Sequence, residues 1–250
     1  MRRDSLTTIN PVIGIIIVVK DGEKTLIRAI ESVRTQKYTN WRLVIIDGNS
    51  LDGTKDIIHR YLPIVDYYES NSDSGIYDAM NKALRNINAD WFIFLGCDDM
   101  LLDVLHSVAK KLLNKDTIYY GDVVCSSNQR IYDGKFNKYK LVFNNICHQS
   151  IFYPIEVSKY FYDTRYKFLA DYELNLRLWK ERYNFEYINL IVANYNDAGS
   201  ATRGDQFFAQ HKTELLANSL GLRFAIIWFI RNLLSGVYRR YIKGKYFTLR

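Results

Sequence analysis

The sequence predicts an α/β protein with a mostly parallel, Rossmann-like sheet covered by helices and a helical tail behind it. Two observations carry this. Short runs of consecutive apolar, mostly β-branched or aromatic residues alternate with segments whose apolar residues recur at helical spacing, from Val12 to Leu113. The chain is 250 residues long, 48% hydrophobic and 24% charged, which suits one large globular domain. Residues 1–220 are expected to form that domain and residues 221–250 a basic, amphipathic tail.

Val12–Val19 (VIGIIIVV) has no polar residue, as a strand buried on both faces requires. Glu23–Gln36 places Leu26, Ile27, Ile30 and Val33 on one helical stripe. Leu43–Ile46 is a second buried strand, Thr54–Tyr61 a short helix and Val65–Tyr68 a weaker strand. In Ile76–Ile87 the residues Ile76, Ala79, Met80, Ala83 and Leu84 share a helical face. Trp91–Leu95 (WFIFL) is the fourth strand, and Asp103 is placed to cap a helix over Asp103–Leu113. The second half is less regular. Ile118–Val124 and Arg130–Tyr132 suggest a hairpin, Ser150–Tyr153 a strand, Tyr172–Glu181 a helix, and Phe185–Ile188 and Ile191–Tyr195 two short strands. Helices over Asp205–Ser219 and Arg223–Tyr238 close the chain.

The net charge of +7 is localised. After Glu214 there is no acidic residue, and Arg223, Arg231, Arg239, Arg240, Lys243, Lys245 and Arg250 account for the whole excess. A neutral body with a basic end argues against a nucleic-acid-binding protein and for an acidic surface met by the tail. Cys97, Cys125 and Cys147 are scattered without metal or disulfide spacing, which fits a reducing cytosol. Val12–Val19 is too short for a signal-peptide core, and no apolar run spans a bilayer. A cytoplasmic protein, peripheral on the cytoplasmic face of the inner membrane, is expected.

Ligands of parallel sheets sit beyond the carboxyl ends of the strands. Three carboxylate sites fall there: Asp47 (VIIDGNSLDGT), Asp73 (SDSGIYDAMNKAL) and the pair Asp98–Asp99 (FIFLGCDD). Asp47, Asp52 and Asp73 also read as ordinary turn or cap residues. Adjacent carboxylates repel one another unless a cation compensates, and Mg²⁺ or Mn²⁺ with oxygen ligands suits such a pair.

These segments, in this order, resemble family 2 of the inverting glycosyltransferases, which have the GT-A fold. SDSGIYDAMNKAL is similar to its colanic-acid and O-antigen subgroup. The likeness is close over the first hundred residues and patchy to about residue 200. It implies that Val19 lies by the base and that Asp47 binds it, with uracil expected. It places Asp73 and Lys82 along the nucleotide, Asp98 at the ribose and diphosphate, and Asp99 on the metal. Asp21 stands where Asn is common, and Gly96-Cys97 replaces Asn-Ser or Asn-Ala. Asp171, in FLADYEL, reads alone as a helix N-cap. The resemblance implies the base that activates the acceptor hydroxyl. His148 (CHQSIFYP) is either a satisfied core residue or a contact to acceptor, diphosphate or metal. Asn196–Ser200 is similar to a Gly-Gly-x-Ser loop with one glycine missing. The QxxRW motif of processive members is absent, Asn175–Trp179 reading NLRLW.

The implied activity is single-step, metal-dependent transfer from a nucleotide-diphosphate sugar, UDP-linked by first expectation. The acceptor would be a saccharide, free or polyprenyl-diphosphate-linked, in surface polysaccharide synthesis. Three other readings explain less. A nucleotidyltransferase calls for a glycine-rich phosphate loop where VKDGEKT stands. A glycosidase has no need of a nucleotide-binding sheet. A non-catalytic nucleotide- or membrane-docking protein leaves Asp47, Asp98, Asp99 and Asp171 without a purpose.

Overall fold

The computed structural model describes residues 10–132, 134–197 and 204–246, with side chains described as far as Leu234. Strands β1 (Ile13–Val19), β2 (Trp41–Asp47), β3 (Tyr67–Ser70) and β4 (Trp91–Gly96) alternate with helices α1 (Leu26–Arg34), α2 (Thr54–Tyr61) and α3 (Ile76–Asn86). All four strands pair in parallel, β1 being flanked by β2 and β4. Ile13, Ile15, Ile17 and Val19 point to one face, Ile16 and Val18 to the other, and each face has its own apolar cluster. That is why the run carries no polar residue.

The sheet is mixed rather than mostly parallel. After β4 come β5 (Met100–Leu101), α4 (Leu105–Ala109), β6 (Thr117–Cys125), β7 (Ile131–Tyr132), α5 (Lys138–Phe143), β8 (Ile151–Pro154), α6 (Ala170–Lys180), β9 (Asn184–Tyr195), α7 (Gln206–Ser219) and α8 (Leu222–Tyr246). The strand order is β3-β2-β1-β4-β8-β6-β9-β5, with β7 paired to β6. Strand β8 is antiparallel to both β4 and β6, and so joins the parallel half to a second half.

Three expectations change. Phe185–Ile188 and Ile191–Tyr195 are one strand, β9, bulged where Asn189 has a φ of 49°. Opposite the bulge is Gly121, where a Cβ would stand 2.4 Å from the Leu190 carbonyl oxygen. The helix expected at Asp103 is only Leu105–Ala109, because Asp103 faces away and pairs with the Lys37 ammonium at 2.7 Å. Strand β5 and helix α5 have no periodicity long enough to be read from sequence.

Helix α8 is two-sided. Phe224 and Ala225 are buried, while Leu222, Ile226, Phe229, Ile230, Leu233 and Leu234 form an exposed stripe at helical spacing. No helix among the described residues is long and apolar enough to cross a membrane.

Candidate active site

A cleft of about 1730 Å³ opens over the carboxyl ends of β1 and β4 and runs under α6, α7 and α8. The loop after β1 is fastened to the loop after β2. Asp21 N donates to Ser50 Oγ at 2.7 Å, Leu51 N to Asp21 Oδ1 at 2.8 Å, and Gly22 N to Thr54 Oγ1 at 2.8 Å. Asp21 has a φ of 52°, in the left-handed region that Asn and Asp tolerate best among residues with side chains. Asp therefore fills the position where Asn is common without changing the turn.

Val19 and Asp73 line the cleft, whereas Asp47 and Lys82 do not. Asp47 is fully buried, and its carboxylate accepts from Ser50 N at 3.2 Å, Ser50 Oγ, and Ser70 Oγ at 2.6 Å. It ties the ends of β2 and β3 together. The Lys82 ammonium donates to the Ser72 carbonyl at 2.8 Å and so braces the Asp73 loop from behind.

The acidic pair is divided. Asp98 lines the cleft, and its Oδ2 accepts from Asn196 Nδ2 at 2.8 Å. Asp99 is turned inward and buried. Its Oδ1 accepts from Asn196 N at 2.7 Å and its Oδ2 from Gly96 N at 3.2 Å. The resemblance implied Asp98 at the ribose and diphosphate and Asp99 on the metal; of the two, Asp98 faces the cleft, while the strand-end amides hold Asp99 in the turn behind it. Gly96 permits this, since a Cβ there would meet Asp99 Oδ2 at 2.4 Å and Asp98 Oδ1 at 3.0 Å. Burial pushes the Asp99 carboxyl up to about 6; the Asn196 amide opposes that and the Asp98 charge adds to it. Asn196 fastens the segment after β9 to the pair; the rest of the Gly-Ser loop expected there, residues 198–200, lies outside the described residues.

Asp171 lines the same cleft from the first turn of α6. It is not the N-cap, because Leu169 holds that position and no side chain caps the helix. Its Oδ1 accepts from Tyr77 OH at 3.0 Å and its Oδ2 from Asn145 Nδ2 at 2.7 Å. Behind Asn145, Asn175 Nδ2 donates to Asn145 Oδ1 at 2.9 Å, and Tyr153 OH donates to Asn175 Oδ1 at 2.9 Å. Each amide is thereby oriented, and the carboxylate is held in place. Burial raises the Asp171 carboxyl to about 6, against the lowering effect of Tyr77, the first-turn amides and Asn145. A carboxyl of that kind is ionised at neutral pH and basic enough to accept a proton.

His148 also borders the cleft, but its Nε2 bonds Tyr162 OH at 2.8 Å and its ring lies 4.9 Å from that of Phe94. Burial lowers it to about 3, so it is a neutral, satisfied packing residue. The three cysteines all border the cleft as free thiols, and burial pushes Cys97 up to about 12, far from thiolate chemistry.

The family model described as glycosyl transferase family 2 matches residues 14–186. The chain belongs to this family. Among its relatives is a "PGL/p-HBAD biosynthesis glycosyltransferase" of Mycobacterium bovis, 32% identical over 230 residues, covering 87% of this chain and 89% of the relative. An uncharacterized glycosyltransferase of Rickettsia typhi is 26% identical over 76% of this chain and 66% of its own length. In structure, the glycosyltransferase resembles S. aureus TarS 1–349 in complex with UDP-GlcNAc. The TM-score is 0.65 at 12% identity, over 85% of this chain and 72% of that one. It also resembles the mannosyltransferase PcManGT of Pyrobaculum calidifontis, in complex with GDP-Man and Mn2+. There the TM-score is 0.62 at 13% identity, over 96% of this chain and 81% of that one. The mixed α/β sheet is thus the GT-A fold.

The donor set of this glycosyltransferase fits a hard divalent ion. It offers two carboxylates, no thiolate facing them, and a surplus of negative charge for a cation to offset. No group of three or more His, Cys, Asp or Glu residues is arranged for a metal among the described residues. Asp98 at the cleft, with Asp99 behind it, would be the residues to hold such an ion. Sequence reasoning missed Tyr77, Asn145, Asn175 and Tyr153, and it met Asn196 only as part of a loop. They carry no charge pattern, and only the packing of α3, α6 and the β8–β9 half brings them to the carboxylates.

Proposed function

We propose that this glycosyltransferase transfers a sugar with inversion from a nucleotide-diphosphate donor, UDP-linked by preference, to an acceptor hydroxyl, with Asp171 as the base. The single observation that carries this is the cleft shared by Asp98 and Asp171. One carboxylate sits at the strand mouth suited to a metal-bound diphosphate. The other is buried, oriented and raised to about 6. Asp171 takes the acceptor proton while the acceptor oxygen attacks the anomeric carbon in line, and the nucleoside diphosphate departs. A bound Mn²⁺ or Mg²⁺ supplies charge neutralisation for that leaving group. Val19 and Asp73 flank the donor. Asp47 and Lys82 shape its pocket through the turns they brace. The acceptor in this reading is a saccharide, free or lipid-linked, in surface polysaccharide synthesis. The test is a screen of UDP- and GDP-sugars with and without Mn²⁺, with the anomeric configuration of the product read by NMR. An α-linked donor should give a β-linked product, and retention of configuration would refute the single displacement.

The exposed stripe of α8 supports a second element of the proposal, peripheral attachment to the cytoplasmic face of an anionic membrane. The six apolar side chains would enter the interface, and the basic charge that the sequence concentrates after Glu214 would draw the tail to acidic headgroups, at about 1 kcal/mol for each cation near the surface. Expected in co-sedimentation is binding to anionic but not neutral liposomes, weakened by salt and lost on truncation after Gly221. Equal binding by the truncated and full chains would refute it.

A further inference from the structure

Lys212 is the only buried lysine or arginine among the described residues, 6% exposed, and none of those residues gives it a hydrogen bond or ion pair. Its ammonium instead sits over three rings, 3.9 Å from the centroid of Trp228, 4.9 Å from Tyr172 and 5.5 Å from Phe208. Cation–π attraction seats the ammonium against the cleft wall but takes up none of its three N–H donors, which remain open to a ligand in the cleft. The charge that acts on it is another cation. Arg231, three residues beyond Trp228, lies with its guanidinium 4.4 Å over the Phe143 ring, and its charge adds to burial in lowering Lys212 to about 8. Two cations share this corner, and among the described residues no acid makes an ion pair with either.

The corner belongs to the catalytic cleft. Lys212, Trp228, Phe143 and Tyr172 all line it, and Tyr172 directly follows Asp171. It is formed by α5, α6, α7 and α8, away from the β1 and β4 ends where the donor diphosphate is placed. We propose that Lys212 and Arg231 form a subsite for a phosphate group of the acceptor, so that this enzyme glycosylates a phosphorylated acceptor. The inference rests on the proposed function for its assignment of the cleft. A phosphate dianion matches two cations in charge, and its tetrahedral oxygens can accept from both. The phosphate could be that of a soluble phosphosugar or of a lipid carrier, whose chain would follow the exposed stripe of α8.

The experiment is calorimetric titration of the full chain with inorganic phosphate, decyl phosphate and acetate, for wild type, Lys212→Met and Arg231→Gln. Phosphate should bind wild type. Lys212→Met should weaken it about ten-fold or more and Arg231→Gln several-fold, with both variants as heat-stable as wild type. Tighter binding of decyl phosphate than of phosphate supports the subsite with a lipid carrier, and equal binding supports it with a soluble acceptor. Failure of wild type to bind phosphate at tens of millimolar overturns the inference. So does equal binding by wild type and both variants, or acetate binding as well as phosphate. Mn²⁺-dependent UDP-sugar hydrolysis by wild type, measured alongside, tests the donor reading separately.

Discussion

Asp171→Asn is expected to lower sugar transfer by about 10²–10⁴-fold while leaving donor and Mn²⁺ affinity within a small factor of wild type. Asparagine keeps the size of the side chain but cannot take a proton, and only its oxygen can accept, so one of the two bonds that hold the carboxylate is lost. The hydrogen bonds from Tyr77 and Asn145 would reach an amide instead of a carboxylate. In the wild type the rate should fall as pH drops through about 6, where the carboxyl becomes protonated. The stability of the same group runs the other way. Its folded value lies above the ordinary 3.8, so the stabilisation is complete below that value and lost as pH rises through about 6. The lost hydrogen bond costs the variant the same at every pH, so its stability relative to wild type should rise by about 1–3 kcal/mol between pH 5 and pH 8. Melting curves at pH 5 and pH 8 beside single-turnover rates check both halves. A variant that melts early and keeps its specific activity would make Asp171 a structural residue only.

The second large effect is expected at the acidic pair. Asp98→Asn removes the carboxylate that lines the cleft and should cut turnover by about 10²–10³-fold. It should also raise the Mn²⁺ concentration needed for half activation. Asp99→Asn should lose comparable activity but with a lowered melting temperature. An amide there would set its NH₂ against the Gly96 or Asn196 N–H that the carboxylate now accepts, a loss of about 1–3 kcal/mol. Chelation of divalent ions should abolish transfer by wild type. The measurement is a Mn²⁺ titration of initial rate for the three proteins, with circular dichroism as the control for folding. Unchanged Mn²⁺ activation in both variants would remove the pair from the metal site.

The Asp98 and Asp99 roles show where sequence reading stops. Adjacency told of a charged strand end. It could not tell which of two neighbouring carboxylates faces the cleft, because that depends on the Asn196 amide, reached only through the path of β9. That Asp171 faces the same cleft could be expected only through family likeness, since a first-turn carboxylate looks like a cap in any sequence. Lys212 gave no signal, because one lysine on an amphipathic helix usually faces water.

What the sequence alone determined was the parallel half: β1 to β4, their helices, and the carboxylates at the strand ends. Those elements are local. Continuous apolar runs and helical stripes record which residues are buried on both faces or on one. What only the tertiary structure decided was the second half and the partners of each charged group. The antiparallel β8, the bulged β9, the Tyr153–Asn175–Asn145–Asp171 chain and the aromatic nest around Lys212 all join residues far apart in the chain. Long-range contact leaves no period in a sequence, so the environment that sets a carboxylate's basicity, or leaves an ammonium without an anion, comes into being only when the chain folds.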